Sequence, residues 1–461
     1  MDVEILSRAT GTKLLPVRRG KVSLGTAAAW LCATILLGNA LAIVWLWLYD
    51  GGVTAAHGAS GITTSIGRVT GLISAYSALI QVILLARIPW IERAVGFDKL
   101  TVWHRLNGKI CLYLVLAHVV FITIGYSLMD KVTVPSEVTR LLSGYPGMIA
   151  ATVGTVLMTL VVVTSLVIVR ARLPYEMWYV VHLTVYGGIA LAWFHQIPTG
   201  NEFAVNATAG TYWTLLYVAT LVLLIAFRVA APAWQVWWHR LRIESVQVEA
   251  PGIVSLHIGG RHLERMHAKA GQFFLWRFLT RGRWWQAHPF SLSAVPGGGS
   301  LRITIKASGD FTRDIASIRP GTRIIAEGPF GTFTAARRSR TRAALIAGGI
   351  GITPLRALAE QIGGNAVLIY RVFRDEEIVF RSELDSLARE KGLTVFYVVG
   401  DHRDPGAKQL LSPRHLLELV PDLPTRDVFL CGPLAMMDAV SANLLEAGVT
   451  RATLYTERFA L

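Results

Sequence analysis

Cysteine and charged residues are both scarce in this chain of 461 residues. The three cysteines, Cys32, Cys111 and Cys431, lie far apart, which excludes a disulfide framework and a thiolate metal cluster. An iron–sulfur domain, which needs about four clustered cysteines, is excluded as well. Only 16% of the residues are charged, against about 25% in ordinary soluble proteins, and 53% are hydrophobic. The composition therefore indicates a membrane protein, at least in part.

The charges that are present divide the chain into two unlike parts. The first 240 residues contain 26 charged residues, whereas the remaining 221 contain 49. Apolar stretches of about 20 residues, the length that crosses a bilayer, occur in the first part. They begin near Leu24, Ile62, Val102, Met148, Met177 and Tyr212. We therefore expect six membrane spans followed by a soluble half that is long enough for two small domains.

Basic residues in the short loops predict the orientation of the spans. They occur in the N-terminal segment, in the loops after spans two and four, and after span six. The loops at 50–61 and 196–210 are nearly free of positive charge. Both termini are therefore expected in the cytoplasm of a cell-membrane protein. The net charge of +15 then reflects topology and attraction to anionic lipid, so we do not expect nucleic-acid binding.

Four histidines lie in spans three and five, which run in the same direction. His104 and His118 are 14 residues apart, about 21 Å along a helix and within about 40° of one face. His182 and His195 are 13 residues apart, which leaves them about 140° out of phase in an ideal helix. The two glycines at 187–188 offer a site for a bend or a bulge that would restore the phase.

Matched depths in parallel spans predict two bis-histidine haems. The inner haem would use His104 and His182, and the outer haem His118 and His195. Zinc is a poorer alternative, because no carboxylate or thiolate accompanies the pairs in these spans. A structural role as hydrogen-bonding groups inside the bundle stays open. Arg68, near the outer end of span two, either reaches towards the interface or supplies a counter-charge to an outer haem propionate or an acceptor.

Short strands separated by Gly and Pro begin at Ile243 and predict a small antiparallel barrel. The barrel contains the motif His-Pro-Phe-Ser-Leu-Ser, in which the hydroxyls of Ser291 and Ser293 could hydrogen-bond a flavin ring. Further along, the motif at 309–312 is expected to open a helix, whose free N–H groups would suit a pyrophosphate.

Strands and helices alternate from Ala343, which predicts a parallel, doubly wound α/β sheet. The first turn, Gly-Gly-Ile-Gly-Ile-Thr-Pro at 348–354, follows a strand and precedes a helix. Its glycines permit the close backbone approach that a dinucleotide phosphate requires, although the turn is not the G-x-G-x-x-G fingerprint.

Together these motifs resemble the ferric reductase and NADPH oxidase superfamily of transmembrane flavocytochromes b. The resemblance covers nearly the whole chain after about residue 20. It rests on the ordered set formed by His-Pro-Phe-Ser, Gly-Asp-Phe-Thr, the glycine turn, Cys431-Gly432-Pro433 and the terminal Glu457-Arg458-Phe459.

The resemblance assigns cofactor roles to specific positions. It implies that the FAD ring is held by His288, Pro289, Phe290 and Ser291. It implies that the FAD phosphates are held by Gly309, Asp310, Phe311 and Thr312. It implies that the nicotinamide nucleotide is bound by Gly348, Gly349, Gly351, Thr353, Pro354, Cys431, Gly432 and Pro433. Ser291 and Phe459 are expected beside the reacting rings, with Phe459 covering the flavin. An Arg at the end of the second strand suits a 2′-phosphate, and by resemblance Arg374 is the first candidate and Arg371 the second.

These expectations combine into an enzyme of four segments: an N-terminal cytoplasmic segment (1–23), a six-helix haem domain (24–240), a FAD-binding barrel (241–338) and an NAD(P)-binding domain (339–461). A hydride would pass from NADPH to FAD in the cytoplasm, and single electrons would pass through both haems to ferric iron or dioxygen outside. Two alternatives stay open: a membrane cytochrome b relay subunit that hands electrons to a protein partner, and a flavin reductase that is merely anchored in the membrane. The oligomeric state is not predicted.

Overall fold

The computed structural model describes residues 5–6, 24–170, 172–173, 175–297, 299–309, 311–401 and 409–458. They form two compact units that divide between Ala230 and Ala231, and residues 5–6 belong to the second unit.

The first unit is helical. Its helices are α1 (Leu24–Tyr49), α2 (Gly58–Leu84), α3 (Pro89–Val95), α4 (Phe97–Asp130), α5 (Val134–Gly144), α6 (Met148–Ser165), α7 (Val167–Arg170), α8 (Tyr175–Thr199), α9 (Asn201–Val205) and α10 (Ala207–Ile225). A π-helical turn, Ala226–Ala230, follows α10. Helices α1, α2, α4, α6, α8 and α10 lie in the six segments that are long and apolar enough to cross a bilayer. The six predicted spans are therefore confirmed.

Glycines bring the spans into close contact. A Cβ added to Gly188 of α8 would lie 3.0 Å from the carbonyl oxygen of Gly154 in α6, so these two helices pack backbone against backbone. Gly67 of α2 likewise packs against Ile122 of α4. Helix α8 is continuous through 187–188, so a π-type bulge is not found there. Gly188 instead permits the approach of α6.

The second unit begins with α11 (Ala231–His239) and the strands of the flavin region. These strands are β2 (Arg242–Ala250), β3 (Ile253–Gly259), β4 (Phe273–Phe278), β5 (His288–Ser291), β6 (Ser300–Lys306) and β7 (Ile324–Phe330). They form two antiparallel sheets, in the orders β2-β3-β6 and β5-β4-β7. Isolated bridges, Arg242–Arg323 and Leu292–Ile303, connect the sheets. The sheets agree with the predicted strands, but a single closed barrel is not confirmed.

A parallel sheet follows. Its elements are β8 (Ala343–Gly348), α12 (Ile352–Ile362), β9 (Ala366–Val372), α13 (Arg381–Lys391), β10 (Thr394–Val399), α14 (Pro413–Leu419), β11 (Asp427–Cys431), α15 (Leu434–Glu446) and β12 (Leu454–Glu457). The order is β1-β10-β9-β8-β11-β12, where β1 (Ile5–Leu6) is an antiparallel edge strand. This confirms the doubly wound sheet. The direction of winding reverses between β8 and β11, and the carboxyl ends of strands at such a point are where α/β sheets bind ligands.

Candidate functional site

The four membrane histidines meet in two pairs between α4 and α8. The ring centroids of His104 and His182 are 6.1 Å apart, and those of His118 and His195 are 6.4 Å apart. A metal–imidazole bond is about 2.0–2.1 Å long, and the ring nitrogen lies roughly 1.1 Å from the ring centre. Two imidazoles on opposite sides of one metal would thus have centroids roughly 6.2–6.4 Å apart. The outer pair has this spacing, and the inner pair is within 0.1 Å of it.

Hydrogen bonds to backbone carbonyl oxygens of α2 orient the two histidines of α4. Nδ1 of His104 lies 3.1 Å from the carbonyl oxygen of Gln81, and Nδ1 of His118 lies 2.8 Å from that of Gly67. A carbonyl oxygen can only accept, so Nδ1 carries the proton in both rings and Nε2 keeps its lone pair for a metal. His182 is held differently, through a 3.3 Å contact between Nδ1 and the Ser165 hydroxyl.

The donor set fits haem better than a bare metal ion. Among the described residues, no group of three or more His, Cys, Asp or Glu side chains is placed to hold a metal. Two imidazoles alone leave a zinc tetrahedron half empty, whereas a porphyrin brings four nitrogens and needs only two axial ligands. Each His pair would supply two such ligands.

Arg68 forms a buried ion pair that the sequence did not suggest. Its Nε donates to Oε1 of Glu202 at 2.8 Å, and its Nη2 donates to the carbonyl oxygen of Asp50 at 3.2 Å. The side chains of Arg68 and Glu202 are only 15% and 3% exposed, so the Arg68 guanidinium is largely enclosed within the helical unit. Glu202 balances its charge, which weakens the interpretation of Arg68 as a free counter-charge. The sequence signal for this pair was an isolated acid between two apolar spans, 134 residues away.

The predicted flavin residues come together around β5. His288 stacks on Phe311 with ring centroids 3.7 Å apart, and burial lowers the pKa of His288, so the ring is neutral at pH 7. Pro289 and Phe290 continue the strand towards Ser291. The Ser291 hydroxyl is buried without a hydrogen-bond partner among the described residues. An unpaired buried hydroxyl fits a ligand that carries a polar edge, as a flavin ring does.

The motif at 309–312 does not open an α-helix, contrary to expectation. It forms a hydrogen-bonded turn in which the Thr312 hydroxyl accepts from the N–H groups of Ser308 and Gly309, at 2.9 and 3.1 Å. A threonine hydroxyl that takes these donors competes with helix formation. A short 3₁₀ turn, Ile315–Ser317, follows. Asp310 lies outside the described residues.

The two predicted nucleotide segments pack against each other at the carboxyl ends of β8 and β11. The glycine turn runs as a 3₁₀ turn, Gly349–Gly351, from β8 into α12, and Thr353 donates to the Ile350 carbonyl oxygen at 3.1 Å. A Cβ on Gly432 would lie 3.1 Å from Cα of Gly348. Pro354 lies in the first turn of α12, and Pro433 precedes α15. The strand–turn–helix prediction is therefore confirmed at this point. Burial raises the pKa of the Cys431 thiol well above its usual range, so this thiol is protonated at neutral pH.

The two candidate arginines for the 2′-phosphate differ in how exposed their side chains are and in which groups they already bind. Arg371 is the half-buried penultimate residue of β9, and its Nη1 donates to the carbonyl oxygens of Val372 and Val398. Arg374 follows the strand with 72% of its side chain exposed, within 3.2 Å of Glu376 and 3.4 Å of Glu377. Exposed pairs of this kind are weak, so Arg374 can exchange them for a phosphate. Phe459 lies outside the described residues.

Three family models match the chain in the order of its units. The model for the ferric reductase like transmembrane component matches residues 70–193, that for a FAD-binding domain residues 239–334, and that for an oxidoreductase NAD-binding domain residues 345–442. The chain has the architecture of the ferric reductase and NADPH oxidase superfamily. Its six apolar helices and the first match support a membrane protein, and its second half contains FAD-binding and NAD-binding domains.

Individual relatives resemble parts of this ferric-reductase-like chain. NADH-cytochrome b5 reductase 1 of Laccaria bicolor is 29% identical over 170 residues, which are 34% of this chain and 55% of that protein. NADH oxidoreductase HCR of Escherichia coli is 25% identical over 244 residues, 50% of this chain and 70% of that one. The chain spans about half the length of several curated relatives that it matches. The cytochrome b5 reductase domain of Ulva prolifera nitrate reductase is 20% identical, with 48% of this chain and 97% of that one covered and a TM-score of 0.41.

Proposed function

We propose that the protein transfers electrons from cytoplasmic NADPH, through FAD and two b-type haems, to an acceptor outside the cell membrane. The observation that carries the proposal is the pairing of four histidines from α4 and α8, with ring centroids 6.1 and 6.4 Å apart in the two pairs. These helices belong to a ferric-reductase-like membrane unit. Electron entry from a soluble nucleotide donor is supported by the FAD- and NAD(P)-binding domains in the same chain.

Each group of residues has a separate task in this proposal. FAD, when bound, accepts a hydride and returns single electrons, which haem can take. The Ser291 hydroxyl is free to hydrogen-bond the flavin edge, and neutral His288, stacked on Phe311, contributes a rigid apolar wall. The glycines around Gly351 and Gly432 let backbone N–H groups approach the nucleotide phosphates. The histidine pairs hold the two haems on the route across the membrane.

Spectra of the purified chain with NADPH alone test this proposal against its alternatives. Haem reduction without any other protein is expected. Haem that does not respond to NADPH would favour the relay subunit, and absent haem would favour a flavin reductase with structural histidines. The acceptor is ferric iron, as a chelate, or dioxygen, and parallel measurement of Fe(II) and superoxide production distinguishes them.

Replacing Gly71 by Ala should remove the outer haem or alter its spectrum. A Cβ at this position would overlap the His118 ring and lie 2.8 Å from its Cε1, so the ring must leave its hydrogen bond to Gly67. Absorbance and resonance Raman spectra measure the effect. Gly38→Ala in α1 is the matched control, since its Cβ would meet nothing within 4 Å. A wild-type outer-haem spectrum in Gly71→Ala would contradict the prediction.

Replacing Arg374 by Ala should raise KM for NADPH about tenfold, the factor that corresponds to about 1.4 kcal/mol. KM for NADH should not change, because NADH lacks the 2′-phosphate that the guanidinium would bind. Steady-state kinetics with both nucleotides measure the effect, and Arg374→Lys, which keeps the charge but not the planar fork, should fall between. An equal change for both nucleotides would count against the assignment.

A further inference from the structure

Four charged side chains connect the flavin-binding part of the second unit to its nucleotide-binding part. Arg302 of β6 donates from Nη1 and Nη2 to Oε1 and Oε2 of Glu383, at 2.7 and 2.9 Å. Glu383, in the first turn of α13, also contacts Nη2 of Arg356 in α12 at 2.8 Å. Arg356 in turn pairs with Glu360, one turn further along α12. We call the set Arg302, Glu383, Arg356 and Glu360 the latch.

Both ends of the latch bind the segment that follows β5. At one end, Arg302 donates from Nε to the Ser293 hydroxyl at 3.2 Å and from Nη2 to the Ser293 carbonyl oxygen at 2.8 Å. At the other end, Glu360 Oε2 accepts from the N–H of Val295 at 3.2 Å. This segment begins two residues after Ser291, whose hydroxyl is the unpartnered group of the predicted flavin site.

The latch also contacts the nucleotide-binding part of the unit through α12, the helix that follows the glycine turn. Arg356 belongs to α12, which begins directly after Gly349–Gly351. Arg302 and Arg356 are each 8% exposed, so neither guanidinium can exchange its partner for bulk water at low cost. Burial alone would raise the pKa of Glu383, but hydrogen bonds and charge from Arg302 and Arg356 outweigh it and lower the pKa. The bridging carboxylate is therefore ionised at neutral pH.

We propose that the latch positions the flavin-binding segment against α12, so that hydride transfer from the nucleotide to FAD depends on it. None of the four side chains is a predicted cofactor contact, and they act as positioning residues. Transfer between two bound rings is sensitive to displacements of about 1 Å, and a bidentate Arg–carboxylate pair fixes distance and angle together. The inference rests on the oxidoreductase activity and on the predicted flavin site, and it is independent of the haems.

The test uses the full chain with its cofactors and follows flavin absorbance during anaerobic reduction by NADPH. Glu383→Gln keeps the shape of the side chain and removes the charge. We expect its limiting rate at saturating NADPH to fall at least tenfold, with a larger kinetic isotope effect from deuterated NADPH and little change in half-saturation. Arg302→Lys keeps the charge but loses the bidentate guanidinium, and its limiting rate should lie between those of the wild type and Glu383→Gln. The control is Glu418→Gln, which breaks the exposed Arg414–Glu418 pair of α14 and should leave the rate unchanged.

A double replacement, Arg302→Met with Glu383→Met, separates positioning from folding. Apolar residues of similar volume often replace a buried ion pair without loss of stability. We expect this variant to keep its FAD and its temperature of FAD release, while its flavin circular dichroism changes and its limiting rate falls. A wild-type limiting rate in either FAD-loaded variant, or a change in half-saturation alone, would overturn the proposal. Loss of FAD from both variants would overturn it too, because the latch would then serve folding. Flavin absorbance reports on this step whether or not haem is present.

Discussion

Replacing His118 by Ala should halve the haem content of the purified protein and leave reduction of FAD by NADPH intact. His118 and His195 face each other at 6.4 Å, and the loss of one imidazole leaves an outer haem with a single axial ligand. The inner pair, His104 and His182, lies at a different depth and keeps its own spacing. Pyridine haemochrome analysis gives the haem content, and stopped-flow absorbance gives the rate of flavin reduction.

The matched control is His57→Ala, because His57 is an exposed histidine directly before α2 and belongs to neither pair. This variant should keep both haems. His195→Ala should reproduce His118→Ala, since both remove a ligand of the same haem. Loss of flavin reduction with both haems retained would contradict the assignment, and so would loss of all haem from a folded protein.

Features with local sequence signals were predicted well. An apolar stretch of about 20 residues indicates a span by itself, and a strand, a glycine turn and a helix in succession indicate a nucleotide fold. The histidine pairing also followed from local quantities, because depth depends only on residue number and span direction. The phase mismatch between His182 and His195 was less informative, because it suggested a bend or a bulge between them. Helix α8 is continuous, and both rings still meet their partners on α4.

Features that depend on distant partners were not predicted. The Arg68–Glu202 pair joins residues 134 positions apart, and no sequence motif around either residue predicts the other as its partner. The latch pair Arg302–Glu383 joins β6, in the flavin-binding sheets, to α13, in the nucleotide-binding α/β sheet. The sequence patterns predict these two parts separately and carry no signal for a contact between them. The error at 309–312 has a different cause. A Thr hydroxyl can accept N–H groups locally and stop a helix, and propensity alone does not show which outcome prevails.

Replacing Gly351 by Ala should lower kcat/KM for NADPH at least tenfold. The backbone conformation at Gly351 suits any residue, so the expected effect comes from contact rather than from strain. A Cβ there would lie 2.7 Å from the backbone nitrogen of Gly432, and backbone atoms of a buried parallel strand end cannot move aside cheaply. Overpacking of this kind costs about 1–3 kcal/mol, and here it separates the two turns that would hold the nucleotide.

The flavin and haem chemistry should survive this change, because the crowded contact lies at the carboxyl ends of β8 and β11. FAD content and haem reduction by dithionite should therefore match the wild type while reduction by NADPH slows. Gly297→Ala is the matched control, since its Cβ would meet nothing within 4 Å. Unchanged NADPH kinetics in a folded Gly351→Ala protein would show that the glycine turn and Cys431-Gly432 need not touch for the nucleotide to bind. Equal slowing by dithionite and NADPH would instead place the effect beyond the nucleotide site.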